Sequence, residues 1–175
     1  LLETAHRLKQ ERGSTFRVVL AGGGGSEPDS YREQMEQRSK SLGLSDIVLW
    51  AGRIAASEVS AWLAVSTVVL LPYEGGVSDR RGTLMAALAH GKAVVTSPPR
   101  IAFGPFKNGE NMVWPARSDP AGYARAVDRI LEEPAVRRRL ECGALQLSRL
   151  YGWEGIIRAT RAWYDSTLER ARQRR

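Results

Sequence analysis

The sequence predicts an α/β fold, a Rossmann-like parallel β-sheet that carries helices on both faces. Short apolar runs rich in Val, Ile and Leu alternate with helical patterns of about ten to fifteen residues, which is typical of βαβ units. The runs contain few polar residues, as expected for strands that are buried on both faces. The 175 residues and the hydrophobic share of 43% fit one domain over 1–175, large enough to bury a core.

Five apolar runs are predicted to be strands, because each is short, rich in β-branched residues and followed by a polar or glycine-containing segment. They cover 16–21, 47–51, 67–71, 93–96 and 111–114. After the last of them the sequence is helical only. We therefore expect a helical C-terminus that ends with a helix in 153–175.

Seven segments have helical periodicity: 1–12, 29–42, 57–65, 83–89, 119–133, 135–150 and 153–172. Gly13 and Gly91 end the first and the fourth, since glycine readily takes the conformation that closes a helix. Ser57 is expected to cap the third helix. Asp119 followed by Pro120 forms a cap and first-turn pair for the fifth.

The chain is strongly basic, with 26 Lys and Arg against 19 Asp and Glu, a net charge of +7 and a pI near 10.1. Part of the excess lies in the arginine run 137–139 and in the last six residues. Two interpretations remain open: Arg-rich helices that bind nucleic acid or an anionic surface, and arginine recognition of phosphate in an otherwise ordinary enzyme. The sequence lacks interleaved aromatic residues and an RNA-binding signature, which favours solvated helix faces.

Cys142 is the single cysteine, which excludes an internal disulfide framework and indicates a reducing compartment. No run reaches the roughly 18 apolar residues that a membrane span needs, and no cleavable signal is recognisable. We expect a cytoplasmic location, with peripheral contact at a membrane left open. The chain starts without methionine and inside an amphipathic pattern, which indicates a piece of a longer protein.

The segment 72–83 has the strongest features of a ligand site. A strand ends, a polar loop crosses and a helix begins at Gly82. Unpaired amides at the start of this helix, its dipole, and the side chains of Arg80 and Arg81 would together favour an anion. In the alternative interpretation, Asp79 pairs with one of the arginines and the glycines only turn the chain.

Four glycines, 22–25, follow the first strand, at the end where doubly wound sheets build their ligand crevice. Glu27 stands where a dinucleotide fingerprint has its third glycine, so we interpret the run as a flexible strand exit rather than a phosphate loop. His6 and His90 are isolated, and no Gly-x-Ser-x-Gly motif occurs. No metal site is predicted, and the catalytic residues stay unknown.

Five segments occur in a distinctive order: Phe-Arg-Val-Val-Leu-Ala-Gly-Gly-Gly from Phe16, Leu-Gly-Leu-Ser-Asp-Ile-Val-Leu-Trp-Ala-Gly-Arg from Leu42, Val-Val-Leu-Leu-Pro from Val68, Ala-Ala-Leu-Ala-His-Gly-Lys-Ala-Val-Val-Thr from Ala86, and Asn-Gly-Glu-Asn from Asn108. Together they resemble the C-terminal half of GT-B glycosyltransferases of the large retaining class, known as glycosyl transferases group 1 or family 4. That group includes sucrose synthases, mannosyltransferases and many bacterial cell-envelope transferases. The resemblance extends over 1–164.

The resemblance implies a donor-binding domain, in which a nucleotide-diphosphate sugar lies in a cleft facing an N-terminal acceptor domain that this sequence does not contain. It also implies transfer with retention of configuration, without a metal ion or another cofactor. By position, Gly52, Arg53 and Ile54 match the turn that contacts the nucleobase. The residues that match the loop and helix start around the diphosphate and the sugar are Gly76, Val77, Ser78, Arg80, Arg81, Gly82, Thr83 and Leu84.

The chain departs from the family pattern in two ways. Where the family usually has two glutamates, the second of which binds ribose, this chain has Ser78 and Ala86. The family's first donor-domain strand, with its Arg and Lys phosphate ligands, should precede Leu1. We therefore expect a hexosyltransferase in full-length form, a fragment that is inactive alone, and no nucleic-acid partner. The alternative is a non-catalytic α/β module that uses Arg-rich helices to bind nucleic acid or anionic surfaces.

Overall fold

The computed structural model describes residues 1–22, 30–116 and 119–173. Glycines 23–25, Glu27, Asp29 and the last two arginines, which appear in the predictions above, lie outside these ranges. Within the described residues there are four strands: β1 (Val18–Ala21), β2 (Val48–Gly52), β3 (Val68–Leu71) and β4 (Ala93–Thr96). The α-helices described are α1 (Leu2–Arg12), α2 (Ser30–Ser41), α3 (Ala56–Val65), α4 (Gly82–Ala89), α5 (Pro120–Glu132), α6 (Pro134–Ser148) and α7 (Trp153–Gln173), with a 3-10 helix at Arg149–Tyr151.

The strands form two parallel pairs. β1 pairs with β2, with Val18 opposite Val48, and β3 pairs with β4, with Val68 opposite Ala93. The predicted α/β fold with parallel strands is therefore confirmed. The two pairs are separate, because no strand among the described residues lies between β1 and β3.

The predicted strand at 111–114 is wrong as a full strand, since it makes an isolated parallel bridge to β4. The Val113 N–H donates to the Val94 carbonyl at 2.8 Å, as a strand residue would. The next residue leaves the ladder, because the Trp114 N–H donates to Asn108 Oδ1 at 3.0 Å and the Trp114 carbonyl accepts from Asn108 Nδ2 at 3.1 Å. The Asn108 side chain thus takes the backbone groups that a longer strand would have used.

The helix ends follow the predicted pattern closely, with one correction. Asp119 caps α5, since its Oδ1 accepts a hydrogen bond from the Gly122 N–H at 2.6 Å. Ser57 does not cap α3. Ala55 occupies that position, and its N–H donates to the Glu58 carboxylate at 2.9 Å. The side chain that caps the start of α3 is therefore that of Glu58, and not the Ser57 hydroxyl that was expected.

Helices cover both faces of the strands, as predicted. β4 is wholly buried, and its alternate residues enter different clusters: Val95 packs with α5 and α6, and Val94 packs with α4. A separate cluster joins α1 to β1 and β2 and has as its buried members Leu2, Ala5, Leu44 and Ile47. This burial on both faces explains why the strand sequences are continuously apolar.

α7 leaves the core and exposes large apolar side chains. More than half of the surface is exposed for Trp153, Ile157, Trp163, Tyr164 and Leu168. The helix also carries arginines, as the sequence predicted. Among the residues that the structure describes, no helix has the length and apolar character that crossing a membrane requires.

Candidate functional site

The predicted site residues lie at the carboxyl ends of β2 and β3. A turn, 52–54, follows β2, and a loop, 72–81, leads from β3 to the start of α4. Parallel strands place their carboxyl ends at the same edge, where doubly wound proteins bind ligands. Gly52, Tyr73 and Thr83 all line one cavity of about 1190 Å³ between the two strand pairs. Of the predicted site residues, Gly52 and Thr83 line this cavity, and the other predicted residues of the turn and the loop do not.

The loop 72–81 is anchored by its buried middle. Gly76 has φ +79° and lies so close to the segment after β4 that an added Cβ would meet the Pro98 carbonyl oxygen at 2.7 Å. The Gly76 N–H donates to the Tyr73 carbonyl at 3.0 Å, and the Val77 side chain is buried in the α4 cluster. Gly76 and Val77 thus hold the loop in place, while their neighbours face outward.

Three side chains form a contact group at the end of this loop. The Arg81 guanidinium lies over the Tyr73 ring, 4.7 Å from its centroid. The Tyr73 hydroxyl is 2.6 Å from Thr83 Oγ1, within hydrogen-bond distance. The aromatic ring therefore positions a cation beside the first turn of α4 through a cation–π contact. Arg81 is exposed, so its guanidinium N–H groups can reach a ligand at this edge.

The start of α4 has no side-chain cap. Arg81 occupies the N-cap position without a capping hydrogen bond, and its carbonyl accepts from the Met85 N–H at 3.1 Å. The amides of Gly82, Thr83 and Leu84 belong to the first turn, where backbone N–H groups have no partner within the helix. The Leu84 side chain is fully buried, so this residue can offer a ligand its backbone alone. The helix dipole adds partial positive charge at the same place.

Asp79 does not neutralise the arginines. Within the described residues, its carboxylate forms no ion pair with Arg80 or Arg81, so the alternative interpretation of this loop is not observed. The charge of Asp79 acts instead on Tyr151, in the 3-10 helix: burial raises the pKa of the Tyr151 hydroxyl, and Asp79 raises it further. Arg80 and Asp79 are both exposed. The loop consequently keeps its positive charge available for an anion.

The turn 52–54 is held by contacts from two other segments. Gly52 has φ +65°, and its carbonyl accepts from the Gly22 N–H at 2.8 Å. A Cβ at Gly52 would lie 3.0 Å from Arg32 Nη1, so the Arg32 guanidinium covers this glycine. Arg53 is exposed and Ile54 is partly buried. Gly52 is thus the residue of this turn that lines the cavity, and the Arg53 side chain is exposed outside that lining.

Sequence reasoning missed two residues near the site, Arg32 and Tyr151. Arg32 lies in the first turn of α2, just after the glycine-rich exit of β1, and that position is the one available signal. Tyr151 has a buried hydroxyl without a hydrogen-bond partner in the described part of the chain. Its position against the loop depends on how α6 packs, which no local pattern in the sequence encodes.

The described residues that line the cavity include no Asp or Glu. Ala86 lines it one turn after Thr83, where a longer acidic side chain would reach into the space, and Ser78 is only partly buried. A carboxylate that could bind ribose hydroxyls is thus missing from this face of α4.

The two histidines have structural partners. His6 Nδ1 is 2.9 Å from the Leu42 carbonyl oxygen, and His90 Nδ1 is 2.9 Å from that of Ala86. The described ranges contain no group of three or more His, Cys, Asp or Glu side chains arranged to hold a metal ion. The expectation that no metal takes part stays a prediction.

An arginine-bearing loop and an uncapped helix start at one edge of a parallel α/β domain form the arrangement that doubly wound proteins use to bind anions. Residues 1–133 match the sequence profile of the glycosyl transferases group 1. The chain belongs to this family, as its motifs predicted.

Curated relatives match most of this chain but much less of their own length. A D-inositol 3-phosphate glycosyltransferase from a Nocardioides species is 28% identical over 154 residues, which is 84% of this chain and 33% of the relative. One of the same name from Frankia alni is 27% identical over 161 residues, or 91% of this chain and 39% of the relative. The chain spans about a third to two fifths of the relatives it matches.

Solved structures share the fold. Sucrose-phosphate synthase from Thermosynechococcus elongatus has a TM-score of 0.78 at 20% identity, covering 96% of this chain and 42% of that protein. The C-terminal domain of a Francisella tularensis glycosyl transferase group 1 protein, LpcC, has a TM-score of 0.64 at 16% identity, covering 83% and 74%. Anabaena HepE, solved with UDP and glucose, has a TM-score of 0.70 at 16% identity, covering 84% and 39%.

Proposed function

We propose that this chain is the donor-binding part of a retaining glycosyltransferase, which transfers a hexosyl group from a nucleoside diphosphate sugar to an acceptor. An N-terminal acceptor domain of the same protein would close over the cavity edge, so the chain alone is inactive. The nucleobase lies at the turn 52–54 and the diphosphate at the loop 76–84. No metal takes part. The cytoplasmic location and any peripheral contact with a membrane stay predictions.

The observation that carries the proposal is the contact group of Tyr73, Arg81 and Thr83 at the start of α4. A donor diphosphate needs several hydrogen-bond donors and positive charge in one place. The uncapped first turn supplies amides, Arg81 supplies a positioned guanidinium, and Arg80 adds exposed positive charge. Family membership supports the same assignment, and HepE shows that a protein of this fold binds UDP and glucose.

The chemistry that these groups would perform is stabilisation of the leaving group. When the glycosidic bond breaks, negative charge builds up on the departing nucleoside diphosphate. Fixed donors that face this charge lower the barrier because they need no reorganisation during the reaction. In this arrangement Arg81 contacts the diphosphate, Tyr73 positions Arg81, and the α4 amides bind the remaining oxygens.

The test uses the full-length enzyme with Arg81→Ala and the control Arg138→Ala. Arg138 is an exposed arginine on α6, far from the loop in sequence, so both variants lose one positive charge. Arg81→Ala is expected to lower kcat/KM for the donor by roughly ten- to hundredfold, because a hydrogen bond to a charged group contributes about 1.5–3 kcal/mol. Arg138→Ala should retain the activity of the unmodified enzyme. Activity of Arg81→Ala within about twofold of that enzyme would refute the assignment.

Calorimetric titration with UDP, GDP and ADP at two salt concentrations identifies the nucleobase and tests the rival function. A pocket for the diphosphate should bind one nucleotide with modest salt dependence and should lose affinity in Arg81→Ala. A module that binds nucleic acid through its helices would instead bind a DNA duplex with an affinity that falls steeply with salt. In that case Arg138→Ala would be the weaker variant.

A further inference from the structure

A cleft of about 530 Å³ lies between α6 and the segment 105–111, away from the arginine-bearing loop. Asn111 lines this cleft two residues before the parallel bridge to Val95, so it is level with the start of β4. The loop 72–81 instead follows the end of β3. The cleft and the candidate donor site are therefore at opposite edges of the strands.

Contacts within the chain hold the two walls of the cleft in place. Asn111 is 8% exposed, and its side chain ties the segment 105–111 together. Its Oδ1 accepts from the Lys107 N–H at 3.0 Å, and its Nδ2 donates to the Pro105 carbonyl at 2.9 Å. Gly143 lets α6 lie against the same segment, since a Cβ there would be 2.9 Å from the Asn111 Cα. The cleft is consequently preformed, and a ligand need not order its walls.

Each wall contributes one cation to the cleft. Lys107 belongs to the segment and Arg139 to α6, and both side chains are exposed. In the described part of the chain, Arg139 forms no ion pair. Lys107 Nζ is 3.3 Å from Oε2 of Glu110, which also lines the cleft, but both side chains are more than half exposed and such pairs contribute little. A phosphate group between the walls would meet the ammonium of one and the guanidinium of the other.

Exposed leucines accompany these cations. Leu150 lines the cleft with 62% of its surface exposed, and Leu145 on α6 is 46% exposed. Arg149, beside Leu150, is exposed and forms no ion pair with a described residue. Cations that alternate with exposed apolar side chains are typical of surfaces that bind anionic membranes, because the cations meet the headgroups and the apolar groups enter the acyl boundary.

We propose that the cleft binds the phosphate headgroup of an anionic lipid and that the surface around it docks on a membrane. In this arrangement Lys107 and Arg139 contact the phosphate oxygens. The side-chain amide of Gln146, which also lines the cleft, adds an N–H donor. Leu145 and Leu150 lie among the upper acyl carbons. Docking at this edge leaves the arginine-bearing loop, at the other edge, open to a donor.

Nucleic acid is the competing partner, because its backbone also presents phosphates. It fits this surface less well, since non-specific binding to a duplex depends on phosphate contacts and gives the exposed leucines no apolar partner. The proposal stands whether or not the protein transfers a sugar, because none of the residues that line the cleft belongs to the turn 52–54 or the loop 72–81.

Sedimentation of the full-length protein with lipid vesicles tests the proposal. Vesicles of phosphatidylcholine are compared with vesicles that also contain the anionic lipid phosphatidylglycerol, which the unmodified protein should bind more tightly. Lys107→Ala and Arg139→Ala should each weaken that binding about fivefold, the contribution of one cation near an anionic surface. Arg138→Ala is the matched control, because it removes the same charge from the neighbouring α6 residue outside the cleft, and it should bind like the unmodified protein. Equal binding to both kinds of vesicle, or equal losses in Arg138→Ala and Arg139→Ala, would overturn the proposal.

Leu150→Ser distinguishes a lipid from another phosphate-bearing partner. Leu150 is largely exposed, so the substitution should leave the fold intact. If this side chain enters the membrane, the variant should bind the anionic vesicles about tenfold more weakly, with the same salt dependence as the unmodified protein. A short DNA duplex is titrated in parallel. Duplex binding that is lost in Arg139→Ala, together with unchanged vesicle binding in Leu150→Ser, would assign the cleft to nucleic acid and overturn the proposal.

Discussion

Gly76→Ala should destabilise the loop that carries the arginines, while Gly75→Ala should not. Gly76 has φ +79° and is buried, and its added Cβ would lie 2.7 Å from the Pro98 carbonyl oxygen and 3.1 Å from the Arg100 nitrogen. Both are backbone atoms, which cannot rotate away. Gly75 is exposed, and the nearest atom to its Cβ is Arg81 Nη2 at 3.5 Å, an ordinary contact with a flexible side chain.

The magnitude has two parts. A residue with a Cβ in the left-handed region costs roughly 1–2 kcal/mol. Forcing an extra carbon against the 98–100 backbone adds about 1–3 kcal/mol, as in other overpacked interiors. We therefore expect Gly76→Ala to lower the free energy of unfolding by roughly 2–5 kcal/mol, and Gly75→Ala to change it by about 0.5 kcal/mol or less.

Urea unfolding of the three proteins, followed by circular dichroism, measures the difference. Nucleotide titration of the folded variants then shows whether the loop still presents Arg81, since a displaced loop should bind the donor diphosphate more weakly. A free energy of unfolding for Gly76→Ala equal to that of Gly75→Ala would refute the reasoning. It would mean that the loop backbone adjusts to the added methyl group without a loss of stability.

Three further changes test other contacts. Gly143→Ala puts a Cβ 2.9 Å from the Asn111 Cα and closer still to the Glu110 carbonyl, so α6 must shift; we expect the free energy of unfolding in urea to fall by about 3 kcal/mol. Asp119→Ala removes the α5 cap and should cost about 1 kcal/mol, read from thermal unfolding. The hydrogen bond from Lys9 lowers the pKa of the Asp46 carboxyl from the usual 3.8 to about 2. The ionised carboxylate therefore stabilises the folded state above pH 4, and this contribution to the free energy of unfolding should be lost as the pH falls toward 2. Urea midpoints of Asp46→Asn should fall less over that range, and an equal fall would contradict this linkage.

Much of the fold could be predicted because local patterns determine it. Each strand is a short apolar run between glycine or polar segments, and the continuous apolar character of β4 correctly indicated burial on both faces. The cap at Asp119 followed from Asp-Pro chemistry at a helix start. These features depend on residues within a few positions of one another, which a sequence displays directly.

The predictions failed where the side chain of a nearby residue takes a backbone hydrogen bond that another group was expected to make. At 111–114 the apolar residues favour a strand, but the Asn108 side chain bonds to both backbone groups of Trp114 and ends the ladder. At the start of α3, Ser57 looked like a cap, whereas Glu58 satisfies the Ala55 amide. Which side chain takes a backbone hydrogen bond in this way depends on its position in the folded chain, and the composition of the segment does not reveal it.

The backbone features of the candidate site could be predicted from the sequence more fully than the positions of its side chains. The glycines, arginines and helix start of 72–83 indicated an anion site because their types and order carry the chemistry. The placement of Arg81 on Tyr73 follows from a loop whose shape is fixed by the distant contact of Gly76 with Pro98. Arg32, which covers Gly52, belongs to α2, so the residues around the turn 52–54 do not indicate this contact.

The division of the strands into two pairs affects how cooperatively the chain unfolds. The half that contains β1 and β2 has four buried residues in its cluster, and α2 buries a single one, Ser39, whereas the half with β3 and β4 packs against α4, α5 and α6. α1 links the halves, through Leu8 in the larger half's core and the ion pair of Arg12 with Asp128. With fewer buried residues, the smaller half is expected to open at a lower free energy than the larger half, and the packing of α1 against both sets the difference.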